Sequence, residues 1–199
     1  MDKQQKKKKK LKDRFDDQEQ NSNLGLRPLP EQNHRSRVSE LRQEVLRLGR
    51  DIIESDRFEK ARNIKHHLHY TVAGHSVETA MYALVLARWL RKHGVHITER
   101  DAVRAALLHD IGMTEEPVVR SPSYRKAFLH PAEGRRIANE EFHMNEVQQD
   151  AIRHHMWPVG LVPPRHIIGW IVMTSDKMSS MNETKTMVKN RVKSKHGEK

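Results

Sequence analysis

The chain has 199 residues, 36% of them hydrophobic and 32% charged, with a formal net charge of +11. That length holds one ordinary domain with tails, and the absence of cysteine excludes thiolate metal sites, disulfide scaffolds and cysteine nucleophiles. The positive charge sits at the ends. Residues 1–37 hold 11 Lys/Arg against 6 Asp/Glu and residues 182–199 hold 6 against 2, leaving 20 against 18 in the middle. A nearly neutral body argues against a folded nucleic-acid surface as the main function. The basic ends are expected to give only weak, salt-sensitive attraction to nucleic acid or anionic surfaces. No signal-peptide core follows the cationic start, and no run approaches the roughly 20 apolar residues of a membrane span. A location in the cytoplasm, with no membrane span, is expected.

In chain order, residues 1–37 read as a disordered basic tail, with the Lys6–Lys10 run and little to bury. From Val38 the pattern turns helical: Val38, Leu41, Val45, Leu48 and Ile52 recur at spacings of three and four. A connector rich in histidine (His66, His67, His69) leads to a helix from His75 to about Lys92, stopped by Gly94. The next helix opens at Thr98, with Asp101 as a loose capping pair, and runs through Ala102–Leu108 into His109-Asp110. A loop with Pro117, Ser121 and Pro122 follows, long enough for a lid or a substrate-contacting segment. Pro131 suits the first turn of a helix reaching about His143. Asn145–His155 reads as another, broken at Trp157-Pro158. A last helix spans Arg165 to about Met181, with Ile167, Ile168, Ile171 and Val172 inward. No strand-like alternation and no internal repeat occur. The expected architecture is all-α: one compact helical domain over 38–181, with a basic C-terminal tail over 182–199.

Fourteen histidines are many for this length. His109 and Asp110 follow the apolar run Ala105–Leu108, and Asp176 falls on the apolar side of its helix, four residues after Val172. A carboxylate so placed loses hydration worth several kcal/mol unless a counter-charge or a metal replaces it. Each residue alone has an ordinary alternative. His75 or His130 fits a helix start, Asp110 a polar helix end, Asp176 a salt bridge to arginine, and His154-His155 one core and one surface ring. Two carboxylates near several imidazoles, however, are explained economically by a divalent cation.

The ordered set His75, His109-Asp110, Asp176, in the contexts GHSVETA, ALLHDIGM and VMTSDKMSS, resembles the metal set of HD-domain phosphohydrolases. The segments HPAEG at His130 and IRHHMWP at His154-His155 resemble the extra histidines of members with two or more metals, the HD-GYP phosphodiesterases among them. Met113 stands where HD-GYP enzymes carry a lysine, and no Gly-Tyr-Pro triplet follows His155. HHMWPVGLVPP instead resembles compact bacterial HD hydrolases.

The resemblance implies a single helical HD-domain bundle in which His75, His109, Asp110 and Asp176 hold a first metal. Asp110 bridges to a second, completed by His130 with one or both of His154 and His155. Asp110 and His109 are the expected catalytic pair. Imidazoles and carboxylates suit Mn²⁺, Fe²⁺, Co²⁺ or Mg²⁺. The implied activity is hydrolysis of a phosphomonoester or phosphodiester, such as a nucleotide, by metal-activated water. His67, His69, Arg120 and Arg125 are candidate contacts for the phosphorylated small-molecule substrate. Two other readings stay open on sequence alone: a di-iron oxygenase on the same fold, and a non-catalytic basic RNA-binding adaptor.

Overall fold

The structure, a computed structural model, describes residues 31–66 and 70–197, with side chains within residues 35–186. The chain divides into two compact units, residues 1–40 and 41–199. Of the first, only the opening of helix α1 (Glu31–Leu48) is described, with Ser36 donating to Glu40 at 2.9 Å. The tail expected over 1–37 otherwise lies outside the described residues. All the remaining helices, and the hydrophobic core, belong to the second unit.

The chain breaks at Gly49 and continues as α2 (Arg50–Ile53) and α3 (Asp56–Asn63), the latter capped by Ser55, whose hydroxyl accepts from the Phe58 amide. Helix α4 (Val72–Lys92) starts on Thr71 and α5 (Glu99–Leu108) on Thr98; each hydroxyl accepts the amide three residues on at 3.1 Å. A 3-10 turn, Ile111–Thr114, and the short α6 (Glu116–Val119) lead into α7 (Ser123–Phe142). Helix α8 (Glu146–His154) opens with a reciprocal cap between Asn145 and Gln148, and α9 spans Ile167–Gly197. Among the described residues there is no strand.

Helix α4 packs on α5 and α9, α8 packs on α5, α7 and α9, and α7 covers the 3-10 turn. The core between them includes Leu84, Leu107, Leu108, Ile137, Ile152, Ile171 and Val172. Each such side chain contributes about 1.5–3 kcal/mol on burial. Arg57 on α3 donates to Glu115 at 2.5 Å and also pairs with Glu141, tying three segments together below the turn. No helix among the described residues is long and apolar enough to cross a membrane.

The all-α expectation is met, but four local expectations change. Pro131 lies inside α7, not in its first turn, because α7 begins at Ser123. The expected lid loop is therefore largely helical, from the 3-10 turn through α6 into α7. Ile167 is exposed at the start of α9, while Ile168, Ile171 and Val172 are buried. The backbone of α9 also continues sixteen residues past Met181 to Gly197, with Glu183 buried on its inward side.

Candidate metal centre

Each chemistry-bearing side chain is delivered by a different element. His75 comes from the first turn of α4, and His109-Asp110 from the end of α5, where the chain turns into the 3-10 segment. His130 comes from the middle of α7, His155 from the end of α8 and Asp176 from α9. His75, His109 and His155 are fully buried; His130 and Asp110 are nearly so. The ALLHD segment is buried because α4 and α8 close over it. The turn after it must hug α7: a Cβ on Gly112 would lie 2.1 Å from the His130 carbonyl oxygen.

Asp110 divides the ligands into two sets. Its Oδ2 lies 3.5 Å from His109 Nε2 and 4.0 Å from His75 Nε2. Asp176 Oδ1 completes that side, 3.0 Å from His75 Nε2 and 3.7 Å from His109 Nε2. The other oxygen, Oδ1, lies 3.1 Å from His130 Nε2 and 3.5 Å from His155 Nε2. Donors sharing one ion at bonds of about 2.1 Å sit about 3.0–3.4 Å apart. Most of these spacings fall near that range.

Hydrogen bonding explains why the Nε2 atoms converge. His109 Nδ1 donates to the Ala106 carbonyl at 2.7 Å, His130 Nδ1 to Lys126 at 2.6 Å, and His155 Nδ1 to Ile152 at 2.7 Å. These bonds assign the protons to Nδ1 and leave lone pairs on Nε2 in the neutral rings. Two of those lone pairs then face each other, His130 and His155 Nε2 being 2.9 Å apart, with a carboxylate oxygen beside them. His109 Nε2 is buried with no hydrogen-bond partner among the described residues. Converging acceptors need a proton or a cation between them, so both donor sets fit a divalent ion. The groups His75–His109–Asp110 and Asp110–His130–His155 each bring three ligand atoms within 4.8 Å of one another.

Without an ion, the carboxylates draw protons onto the rings beside them: against its burial, His109 is raised by the charge of Asp110 and the contact of Asp176. Burial works against a charged His75, but hydrogen bonds to Asp176 and Glu183 and the charge of Asp110 outweigh it and push its pKa up to about 10. Burial likewise disfavours an ionised Asp110, yet the charge of His109 and the contacts of His130, His155 and His66 hold it well below the usual carboxylate range. Against its own burial, Asp176 is lowered by His109 and His75. His155 is pushed down, chiefly by burial, and so stays a neutral ring with a free lone pair.

Of the residues singled out by sequence, His75, His109, Asp110, His130, His155 and Asp176 come together. His154 does not: its Nδ1 lies 2.8 Å from Asp150 Oδ1. Arg120 and Arg125 are exposed, Arg120 pairing with Glu116 at 2.8 Å, and neither lines the cavity above the centre. His67 and His69 lie outside the described residues. Trp157 packs edge-on against Trp170, ring centroids 5.3 Å apart.

Two residues at the centre escaped the sequence reading. His66 is held beside α4 by the main-chain bonds His66 N to Tyr70 O and Val72 N to Ile64 O. It stacks on His75 at 4.3 Å and places Nε2 2.9 Å from Asp110 Oδ2. Its only signal was the histidine-rich connector, which does not rank one ring above the next. Glu183, 2% exposed, puts Oε1 2.9 Å from His75 Nδ1. It lies seven residues beyond Asp176 and thus on the same helix face, a signal lost once α9 is assumed to stop at Met181.

Above the centre opens a cavity of about 390 Å³. His66, Asp110, His130 and Asp176 form its polar part, and Met113, Val119 and Met156 line an apolar part. Lys65 and Lys126 also line it, and neither makes a side-chain hydrogen bond or ion pair with a described residue.

Comparison with curated proteins and with solved structures returns no match. One family pattern, described as HD domain, matches residues 72–181, just over half the chain. That span contains His75, His109, Asp110, His130, His155 and Asp176. A helical bundle that brings these histidines and aspartates together, under a family pattern covering them all, identifies the chain as a member of the HD domain family.

Proposed function

We propose that this chain is a metal-dependent phosphohydrolase acting on a phosphomonoester or phosphodiester, most naturally that of a nucleotide. The observation that carries this reading is Asp110, whose two oxygens serve separate imidazole sets at the floor of a cavity flanked by two lysines that pair with no described residue. A bound divalent ion, Mn²⁺, Fe²⁺, Co²⁺ or Mg²⁺, supplies an activated water and positive charge for the phosphoryl oxygens.

The protein's own part is positioning. Main-chain carbonyls fix His109, His130 and His155 with Nε2 inward, so the ligand atoms need little reorganisation. Lys65 and Lys126 offer cations to phosphate oxygens, in the role the sequence had suggested for His67, His69, Arg120 and Arg125. Met113, Val119 and Met156 give an apolar surface for the organic part of the ester. Two lysines lining the cavity over the centre favour an anionic substrate over the oxygen chemistry of a di-iron site. The basic ends would add weak, salt-dependent attraction to nucleic acid or anionic surfaces.

The test is phosphate release from a panel of nucleotides, dinucleotides, cyclic dinucleotides and simple phosphoesters, run anaerobically with Mn²⁺. The reading predicts turnover of at least one class without O₂, and a several-fold higher KM with little change in kcat for Lys126→Met. No release from any ester, or turnover that requires iron and O₂, would overturn it.

A further inference from the structure

Three histidines of the centre, His109, His130 and His155, set their Nδ1 against main-chain carbonyls: those of Ala106, Lys126 and Ile152. His75 is different. Its Nδ1 faces a carboxylate, Glu183 Oε1 at 2.9 Å, with the Ser179 hydroxyl more distant at 3.4 Å. Glu183 is buried, and its Oε2 has no hydrogen-bond partner among the described residues. It lies beyond the end of the family match at residue 181. A carboxylate held in the interior for helix stability alone would lose hydration without return. Here it meets the one ligand ring in its set that lacks a main-chain acceptor.

We infer that Glu183 is a positioning residue for the first ligand set: it accepts the Nδ1–H of His75 and so turns Nε2 toward Asp176 and Asp110. An imidazole ligates through one neutral nitrogen when the other keeps its proton, and a carboxylate acceptor both fixes that tautomer and makes the ligating nitrogen more basic. The set thereby gains a third carboxylate charge one ring away from the ion. Direct ligation by Glu183 is the competing geometry, since ligand atoms of His66, His75 and Glu183 also lie within 4.8 Å of one another. That arrangement would ask His75 to bind ions through both nitrogens, stripping the ring of its last proton, and is the less favourable one. The inference rests on the metal-dependent reading above.

The experiment uses the full chain as wild type, Glu183→Ala and Glu183→Gln, stripped of metal and titrated with Mn²⁺ against a competing chelator. Bound metal is counted at saturation, and the melting temperature of each metal-free protein is recorded. Loss of an outer carboxylate partner costs about 10–100-fold in metal affinity. Glu183→Ala is expected to weaken the tighter ion by that factor with saturating stoichiometry unchanged. Glu183→Gln, which keeps an acceptor oxygen but not the charge, should recover part of the loss and still bind more weakly than wild type. In the Zn²⁺-loaded protein, a slowly exchanging His75 Nδ1–H resonance should be present in wild type and lost in Glu183→Ala. Wild-type affinity in both variants, whatever their melting temperatures, would overturn the inference, as would loss of one whole ion in both, the mark of a direct ligand. A wild-type protein that binds no Mn²⁺ would instead overturn the metal-dependent reading, and the inference with it. If Glu183→Ala does not fold, Glu183→Gln decides alone, because it is nearly isosteric.

Discussion

Gly112 offers a severe test of how the two ligand sets are held at their spacing. A Cβ at this position would lie 2.1 Å from the His130 carbonyl oxygen, 2.6 Å from the Gly134 amide nitrogen and 3.0 Å from the His130 carbonyl carbon. All three are backbone atoms of α7, so no side-chain rotation relieves the overlap. Ordinary contact begins near 3.4 Å, so Gly112→Ala must lift α7 from the turn by about 1.3 Å. Such overpacking costs about 1–3 kcal/mol, and a domain of this size loses about 2–4 °C per kcal/mol, giving a fall of about 2–12 °C. The same displacement separates Asp110 from His130, now 3.1 Å apart, so the second set should lose affinity while the first is largely spared. Calorimetry of the metal-free protein and a Mn²⁺ titration read the two effects. Gly134→Ala is the control. Its Cβ would meet neighbours at 3.2–3.5 Å, and the roughly 1 kcal/mol helix preference of alanine over glycine offsets that crowding. A Gly112→Ala protein as stable as Gly134→Ala, with both ions bound normally, would refute the close-contact argument.

Two further predictions separate neighbouring possibilities. His155→Ala should lose one ion and His154→Ala should lose none, because His155 faces Asp110 while His154 faces Asp150; elemental analysis of both variants decides. Metal uptake should also release protons. His75 in the metal-free centre keeps its proton up to about pH 10, so at pH 7 an ion must displace it, and affinity should rise with pH toward that value. The charged ring supports the metal-free fold fully below its unfolded pKa of about 6.5 and loses that contribution as pH rises through about 10. Calorimetric titration in two buffers of different protonation enthalpy counts the protons. None released at pH 7 would contradict the charge arrangement.

Much of this was legible in the residues. Spacings of three and four gave the helices, and Thr98 announced one start as a capping residue. The ordered histidines and aspartates included the six residues that the fold brings together around Asp110, with His154 beside them. What failed was decided by tertiary contacts. Pro131 reads as a helix start by local preference, yet packing of α7 on the 3-10 turn carries the helix through it, with the His130 ring donating to the Lys126 carbonyl in the turn before. His154 and His155 project about 100° apart on a helix, so only one can face Asp110. Asp150, which also accepts from the Arg165 and His166 amides, settles which. Lys65 and Lys126 look like any surface cations until the cavity places them together.

The most direct test of the central claim is a metal count. Wild type and Asp110→Ala are stripped, reloaded with Mn²⁺, desalted and analysed for bound metal, with circular dichroism confirming that both stay helical. The two-set geometry predicts about two equivalents in wild type. It also predicts loss of both in Asp110→Ala, because each set shares one oxygen of that carboxylate. No metal in wild type, or equal occupancy in the variant, would contradict a centre bridged by Asp110.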